Sequence, residues 1–188
     1  MEKTSKAQTN LSGYDNSWYQ PGGFVKQLFW YLTCRMFINT YLPYPSFLKV
    51  WLLKIFGAKV GLNVVIKPKV NIKYPWFLDI QDHVWIGENV WIDNLTLVTI
   101  ESDVCLSQGC LLLTGNHNYT KSTFDLIVKG ITIEKGAWIG AKATVCPGVQ
   151  VGSHAVLTVN SVATTNLEAY GIYQGNPAKY IKTRNITS

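Results

Sequence analysis

The 188-residue sequence has few of the residues on which metal and disulfide sites depend. It contains three histidines and four cysteines, and the cysteines show no CxxC or other metal-ligand spacing: Cys34, Cys105, Cys110 and Cys146. We therefore expect free thiols, with Cys110 facing inward, and no bound metal. A zinc-dependent carbonic anhydrase needs three clustered histidines, and this sequence does not favour one.

Other features are also missing. The first twenty residues are polar and lack a basic start followed by an apolar run, so we expect no signal peptide and a cytoplasmic protein. The most apolar stretch, residues 24–42, is interrupted by Lys26 and Arg35, whereas a transmembrane helix needs about 20 apolar residues. The net charge of +6 comes largely from dispersed lysines. Because no basic helix or aromatic stacking platform accompanies them, we do not expect nucleic-acid binding.

The sequence does contain a six-residue repeat between about Val60 and Thr165. An aliphatic residue returns every sixth position and a small or aliphatic residue follows four positions later, a period of neither a helix nor a flat sheet. The aliphatic positions are Val60, Ile66, Ile72, Leu78, Ile80, Ile86, Ile92, Ile100, Leu106, Leu112, Ile133, Ile139, Val145, Val151 and Leu157. Such units bury their aliphatic residues only by stacking, which predicts a mainly β, parallel β-helix with three walls and about five coils.

The third position after each aliphatic residue is mostly a turn former. These residues are Asn63, Lys69, His83, Asn89, Asp103, Gly109, Gly136, Lys142, Gly148, His154 and Asn160. Gly and Asn tolerate the positive φ of a tight corner, and polar side chains there stay hydrated. We therefore predict corners at these positions, with His83 and His154 as solvated turn residues.

Residues 1–59 break the repeat and are predicted to form a polar tail, mobile over 1–17, and a helical segment. Two helices are expected, over 24–40 and 46–56, with Pro43 and Pro45 in the turn between them. The helices either cap the open end of the β-helix or contact a membrane surface, and one pair could do both. Membrane contact would place Trp30, Tyr31, Trp51 and Phe56 at the headgroups and direct Lys26, Arg35, Lys49 and Lys54 toward anionic lipid.

An insertion divides the repeat domain, residues 60–166, and a C-terminal extension follows at 167–188. The inserted segment, residues 113–130, reads LTGNHNYTKSTFDLIVKG. A loop on a rigid scaffold is a common place for a site, and His117 can accept a proton from a hydroxyl near neutral pH. On spacing alone, a structural role for this lone histidine is an equal alternative.

Three segments together resemble the hexapeptide acyltransferases: TGNHNY, GAWIGAKATVCPGVQVGSHAVLTVNSVA and GIYQGNPAKYIK. The sequence is similar, from about residue 11 onward, to the colanic acid biosynthesis acetyltransferases of bacterial exopolysaccharide clusters. This resemblance implies a left-handed β-helix, a homotrimer, and acetyl-CoA in a groove between subunits. It also implies direct acetyl transfer to an acceptor hydroxyl, with His117 as the general base and no metal.

The same resemblance assigns further site residues. Asp93 and Asn94 are expected at the acceptor. The residues expected along the cofactor are Trp138, Ala141 and Val159 at the pantetheine arm, and Thr164, Lys179 and Lys182 near the adenosine phosphates. Trp138 could instead support a trimer contact, and the two lysines could belong to a solvated tail.

The sequence departs from the family in two places. Asn118 stands where the family usually has an aspartate beside its histidine. Either another carboxylate such as Asp125 or Glu101 orients His117, which we favour, or activity is reduced. Asn160 replaces a frequent glycine at a corner, with little expected cost.

The leading hypothesis is an O-acetyltransferase for a sugar hydroxyl of an exopolysaccharide or capsule unit that is linked to a membrane lipid, peripheral to the inner membrane. Alternatives are transfer to a small soluble sugar or xenobiotic, and a non-catalytic scaffold.

Overall fold

The computed structural model describes residues 7–187. Residues 1–6 of the predicted polar tail and residue 188 of the predicted C-terminal extension lie outside this range. The described chain forms a mainly β, parallel solenoid with a helical segment at its N-terminal end, which confirms the predicted fold class. Two α-helices precede it: α1 (Phe24–Thr33), which continues as a π-helical turn (Cys34–Ile38), and α2 (Ser46–Ile55). The two helices predicted from the sequence are therefore present.

Three walls make up the solenoid: walls A and C each have five stacked strands, and wall B has seven. Wall A contains β1 (Lys59–Val60), β4 (Leu78–Ile80), β7 (Val98–Ile100), β12 (Ile131–Ile133) and β15 (Gln150–Val151). Wall B contains β2 (Val65–Ile66), β5 (Trp85–Ile86), β8 (Cys105–Leu106), β13 (Trp138–Ile139) and β16 (Val156–Leu157), and then adds β18 (Gly171–Gly175) and β19 (Ala178–Thr183). Wall C contains β3 (Asn71–Ile72), β6 (Trp91–Asp93), β9 (Leu111–Leu113), β14 (Thr144–Val145) and β17 (Val162–Ala163).

The repeated aliphatic residues fill the interior. All fifteen predicted aliphatic positions are buried, as are the small residues at the four-residue offset, including Cys110 and Ser161. In-register pairing stacks like on like, for example Ile139 on Leu106 and Leu157 on Ile139. The core is thus a column of aliphatic side chains that each coil extends by one layer.

The predicted corners are also confirmed. All eleven corner residues have φ between 54° and 83°, in the left-handed region that non-glycine residues rarely occupy. His154 stacks in parallel on Tyr170, with ring centroids 4.8 Å apart, and its Nδ1 lies 2.6 Å from the Ser153 hydroxyl. His83 and His154 are therefore turn residues.

The N-terminal helices cap the first coil. The Trp30 indole N–H donates to the carbonyl oxygen of Ile72 over 2.9 Å. The Lys49 ammonium donates to the carbonyl oxygens of Ile66 and Lys67, over 3.0 Å each. These donors satisfy strand-end carbonyls that have no preceding coil beside them, so both helices contact the open end of the solenoid.

This packing corrects part of the predicted membrane face. Trp30 is buried, and Phe56 packs on its ring with a centroid separation of 5.1 Å. Lys49 is completely buried because its ammonium reaches the first coil, and burial lowers its pKa. Trp30 and Lys49 are therefore unavailable to lipid and Phe56 is half-buried, whereas Tyr31 and Trp51 remain exposed.

Candidate active site

The inserted segment is a β-hairpin that leaves the solenoid between walls C and A. Its strands β10 (Gly115–His117) and β11 (Leu126–Val128) pair antiparallel, with His117 opposite Leu126. Wall A continues beneath the hairpin, because β12 pairs directly with β7. The rigid solenoid therefore carries His117 on a separate two-stranded projection.

One hydrogen bond fixes the chemical state of the His117 ring. Its Nδ1 lies 2.9 Å from the backbone carbonyl oxygen of Phe124. A carbonyl oxygen can only accept, so Nδ1 carries the proton and the lone pair of the neutral ring lies on Nε2. Within residues 7–187, Nε2 makes no hydrogen bond. His117 is thus in the tautomer that a general base requires.

Two aromatic rings hold the imidazole in place. The Phe124 ring stacks on it with a centroid separation of 4.4 Å and an interplanar angle of 9°, and the Tyr14 ring lies 5.7 Å away at 55°. Phe124 itself has a φ of 54°, an unfavourable value for a bulky residue. This strained backbone directs the Phe124 carbonyl at Nδ1 while its side chain covers the ring.

Tyr14 belongs to a segment that we call the N-terminal strap, residues 10–22. The backbone N–H of Asn10 donates to Ser122 in the hairpin over 2.8 Å, and the Tyr19 hydroxyl donates to the Leu95 carbonyl over 2.6 Å. The strap therefore contacts the hairpin through Asn10 and Tyr14, in the segment for which the sequence predicted a mobile tail. The polar composition gave no signal of these contacts, since they depend on groups about 75 to 110 positions away in the sequence.

Neither carboxylate that was predicted to orient His117 forms a hydrogen bond with its ring in the described chain. Asp125 accepts hydrogen bonds from Lys121 and Thr123, which hold the pKa of its carboxyl below the usual value. Glu101 accepts from the backbone N–H of Lys135 over 2.9 Å. The expectation that either carboxylate orients the imidazole is wrong, because the Phe124 carbonyl does so.

Asn118 has a local structural role. Its side-chain oxygen accepts from the backbone N–H of Thr120 over 3.1 Å and from the Thr120 hydroxyl over 2.6 Å. This is an Asx turn that closes the hairpin. The residue that replaces the family's aspartate therefore shapes the turn and does not contact the imidazole.

Asn94, which the resemblance places at the acceptor, is buried in the structure. The side chain is fully buried, and its amide donates to the carbonyl oxygens of Tyr74 and Phe77 over 2.6 and 3.1 Å. Its oxygen accepts from the Tyr74 backbone N–H over 3.0 Å. With both N–H donors engaged, Asn94 holds the 74–77 turn against wall C.

Asp93 lines a cavity between α1 and wall C. The cavity has a volume of about 360 Å³, and its polar groups include Arg35 and Lys73. The Lys73 ammonium lies 3.1 Å from one Asp93 carboxylate oxygen, without the geometry of a hydrogen bond. His117 is not among the residues of this cavity, so the structure does not join Asp93 and His117 in one pocket of a single chain.

A second cavity lies on wall B and brings together three predicted cofactor residues. It has a volume of about 370 Å³ and is lined by Trp138, Ala141 and Val159 together with Ser107 and Gln108 among others. The Trp138 indole N–H donates to the Ser107 hydroxyl over 2.8 Å, which fixes the ring while leaving it 46% exposed. Its floor is close-packed backbone, since a Cβ on Gly140 would lie 2.7 Å from Val159 N.

The remaining cofactor candidates occupy the C-terminal end of the solenoid. Lys179 and Lys182 lie on β19, which pairs with β18 at the edge of wall B, three strands beyond the β13 strand that carries Trp138. Both lysines and Thr164 are exposed. An elongated anion lying along wall B could thus contact Trp138 and the two ammonium groups together, at about 5 Å per strand.

A single chain does not bring His117 and the wall B cavity together. The wall B cavity contains no residue of the His117 hairpin, which leaves the solenoid between walls C and A.

Within residues 7–187, no group of three His, Cys, Asp or Glu side chains lies close enough to hold a metal ion. No helix in the described chain is long and apolar enough to span a membrane.

Comparison with known proteins places the chain in a family, although no family model matches it. The chain is 34% identical over 180 residues to WcaF of Escherichia coli K12, whose name attributes it to colanic acid biosynthesis as an acetyltransferase. That match spans 93% of this chain and 97% of WcaF. Galactoside O-acetyltransferase of the same organism is 27% identical over 137 residues, covering 71% of this chain and 68% of that enzyme.

Solved structures share the fold. A galactoside acetyltransferase in complex with coenzyme A superposes with a TM-score of 0.77 at 24% identity, covering 86% of this chain and 82% of that one. The hexapeptide-repeat acetyltransferase VCA0836 of Vibrio cholerae, complexed with acetyl-coenzyme A, gives a TM-score of 0.72 at 22% identity, covering 79% and 81%. The near full-length match to WcaF, together with the six-residue repeat and the shared fold, establishes that this chain belongs to the hexapeptide-repeat acetyltransferases, in the group that includes WcaF.

Proposed function

We propose that this protein transfers the acetyl group of acetyl-CoA to a saccharide hydroxyl, with His117 as the general base. The observation that carries this proposal is the hydrogen bond from Nδ1 to the Phe124 carbonyl, which leaves the Nε2 lone pair open. The coenzyme A complexes of proteins with the same fold support acetyl-CoA as the donor. The names of WcaF and galactoside O-acetyltransferase support a sugar hydroxyl of an exopolysaccharide unit as the acceptor.

The proposed reaction needs no acyl-enzyme. Nε2 of His117 removes the proton from the acceptor hydroxyl as its oxygen attacks the thioester carbonyl carbon. The tetrahedral oxyanion is stabilised by backbone N–H groups along the groove and then collapses, breaking the C–S bond. The leaving thiolate takes the proton from the imidazolium, so the products are free CoA and the acetyl ester.

We further propose that the complete site lies between subunits of a homotrimer. The wall B cavity of one subunit would hold the pantetheine arm, and the hairpin of its neighbour would supply His117. The separation of these features in a single chain supports this arrangement. Lys179 and Lys182 would contact the phosphates of the cofactor, as their exposed positions on the same wall permit.

Acetyl transfer can be tested with purified protein, acetyl-CoA and a panel of mono- and disaccharides and lipid-linked saccharides. Thiol release and mass spectrometry of the acceptor are the two measurements. We expect His117→Ala to reduce kcat by about 10²–10⁴-fold while retaining acetyl-CoA binding in calorimetry. His83→Asn, which keeps a residue tolerant of positive φ at an ordinary corner, is the matched control and should be fully active. Unchanged activity in His117→Ala would refute the proposed base.

Mixing variants tests the shared site separately. Trp138→Ala should lose acetyl-CoA affinity and His117→Ala should lose transfer. If a site combines the groove of one subunit with the histidine of another, assemblies reconstituted from both variants regain a fraction of native sites. Activity that stays at the level of the separate variants would show that each chain uses its own groove and histidine.

A further inference from the structure

The charge of this protein is segregated along its sequence. Residues 16–78 contain no Asp or Glu and eight cations: Lys26, Arg35, Lys49, Lys54, Lys59, Lys67, Lys69 and Lys73. The rest of the chain holds nine cations and eleven acids, so this one segment carries +8 and the remainder −2, which together give the net charge of +6. Lys59 and Lys73 form ion pairs with Asp79 and Asp93 of the next coil, whereas the segment that forms the helical cap contains no acidic residue.

The first helix and its π-helical continuation have two apolar faces. Trp30, Cys34 and Ile38 recur every fourth residue and are buried against the solenoid. The opposite face carries large apolar side chains that are 44% to 63% exposed: Val25, Leu28, Phe29, Leu32 and Met36. A surface helix normally presents polar residues on the face away from its core. The outward face of this helix is therefore more apolar than expected for a face that contacts only water.

The second helix repeats this arrangement. Lys49 and Leu53 are buried, while Phe47, Trp51 and Ile55 recur every fourth residue on the outward face and are 57% to 76% exposed. In the turn between the helices, Tyr41 and Leu42 are exposed as well, and the Lys69 ammonium lies 4.4 Å from the centre of the Tyr41 ring. We call the outward apolar side chains of both helices and their turn the cap face. It is defined by Val25, Leu28, Phe29, Leu32, Met36, Tyr41, Leu42, Phe47, Trp51 and Ile55.

We infer that the cap face docks on an anionic phospholipid bilayer, with both helices in the plane of the interface. An apolar face with Trp and Tyr, bordered by Lys and Arg, is the composition that binds at the boundary of headgroups and acyl chains. Lys26, Arg35 and Lys54 lie on the same two helices and are exposed, with no acidic residue on either helix. The Lys26 ammonium lies 4.3 Å from the centre of the Trp76 ring, on the side of the solenoid. The Lys54 ammonium and the Arg35 guanidinium, which lies 5.3 Å from the centre of the exposed Tyr31 ring, would contact lipid phosphates.

The charge distribution favours lipid over a second copy of this chain. Apposing two cap faces would bring two acid-free basic segments together, and their mutual repulsion would oppose the contact. An anionic leaflet instead supplies negative charge at the level of the cations and hydrocarbon at the level of the apolar side chains. This docking does not depend on the proposed chemistry, although it would place the enzyme where a lipid-linked saccharide is found.

Vesicle flotation of the full chain tests the inference. The probes are vesicles of phosphatidylcholine alone and vesicles with one third phosphatidylglycerol, at low and high salt. We expect flotation with the anionic vesicles, weaker flotation at high salt because the charges are screened, and little flotation with phosphatidylcholine. Equal flotation with both vesicle types, or none with the anionic vesicles, would overturn the proposal.

Two variants identify the face. Phe29→Gln combined with Trp51→Gln removes apolar area from exposed positions and should weaken partitioning about tenfold or more. Ile186→Gln, which changes an exposed apolar residue outside the cap face, is the control and should float like the native protein. Circular dichroism and acetyl-CoA binding check that the double variant is folded, and its mass in solution should be unchanged. Native-like flotation of the double variant, or a change in its mass that reveals a contact between copies, would refute docking through this face.

Discussion

Asn118→Asp restores the aspartate that the family usually has beside its histidine, and we expect it to leave the imidazole nearly unchanged. In the structure the Asn118 oxygen is bonded to the backbone N–H and hydroxyl of Thr120. An aspartate oxygen can accept both of these bonds. The proton on Nδ1 of His117 is already donated to Phe124, so an added carboxylate has no free donor on that nitrogen.

The size of the effect separates orientation by the Phe124 carbonyl from orientation by a carboxylate. A hydrogen bond to a charged group contributes about 1.5–3 kcal/mol and one to a neutral carbonyl about 0.5–1.5 kcal/mol, a difference of about 1.4 kcal/mol. A carboxylate that accepted the hydrogen bond from Nδ1 would therefore stabilise the imidazolium formed during transfer and raise kcat about tenfold. Because the Phe124 carbonyl already accepts from that nitrogen, we expect kcat of Asn118→Asp to lie within about threefold of the native value.

Nitrogen NMR of histidine-labelled protein shows which ring nitrogen carries the proton, and the acetyl-transfer assay gives kcat. We expect Nδ1 to be protonated in both the native protein and Asn118→Asp. A rise in kcat of about tenfold or more, or transfer of the proton to Nε2, would refute the assignment of the Phe124 carbonyl as the orienting group.

Three further outcomes follow from the packing. Lys49→Met should lower the free energy of unfolding by about 2–4 kcal/mol in denaturant titrations, since it leaves two buried carbonyls of the first coil without donors; a variant as stable as the native protein would contradict the capping role. Phe124→Gly should be more stable than Phe124→Ala by about 1 kcal/mol, the reverse of the usual order, because alanine retains the cost of positive φ; equal stability would contradict the strain. Burial raises the pKa of the Cys110 thiol to about 12, so alkylation at pH 8 followed by mass spectrometry should modify it only after unfolding.

The fold was predictable because its determinants are local and periodic. Ile139 points inward and Lys142 occupies a corner for reasons contained within six residues, and the same reasons recur in every coil. The corner histidines could be assigned in the same way. A single sequence was therefore sufficient to predict the core and the corners.

The surroundings of His117 were less predictable because they depend on distant parts of the chain. The insertion identified the histidine, but the contact with Tyr14 joins residues more than a hundred positions apart. The role of Phe124 depends on a positive φ, which cannot be predicted from the residue type because it is rare for phenylalanine. Asn94 was assigned to the acceptor by resemblance, whereas its burial against the 74–77 turn is a property of three-dimensional packing.

The continuity of wall A beneath the hairpin has an evolutionary consequence. Val98 pairs with Ile131 and Ile100 with Ile133 as they would if the hairpin were absent. The stacked core therefore does not depend on the residues of the hairpin. Closing a longer loop costs little, about 0.6 kcal/mol for each doubling of its length. A lineage with this scaffold can therefore exchange the projection that carries the histidine while inheriting the solenoid unaltered. The projection can therefore change in sequence and length without simultaneous change in the protein's interior.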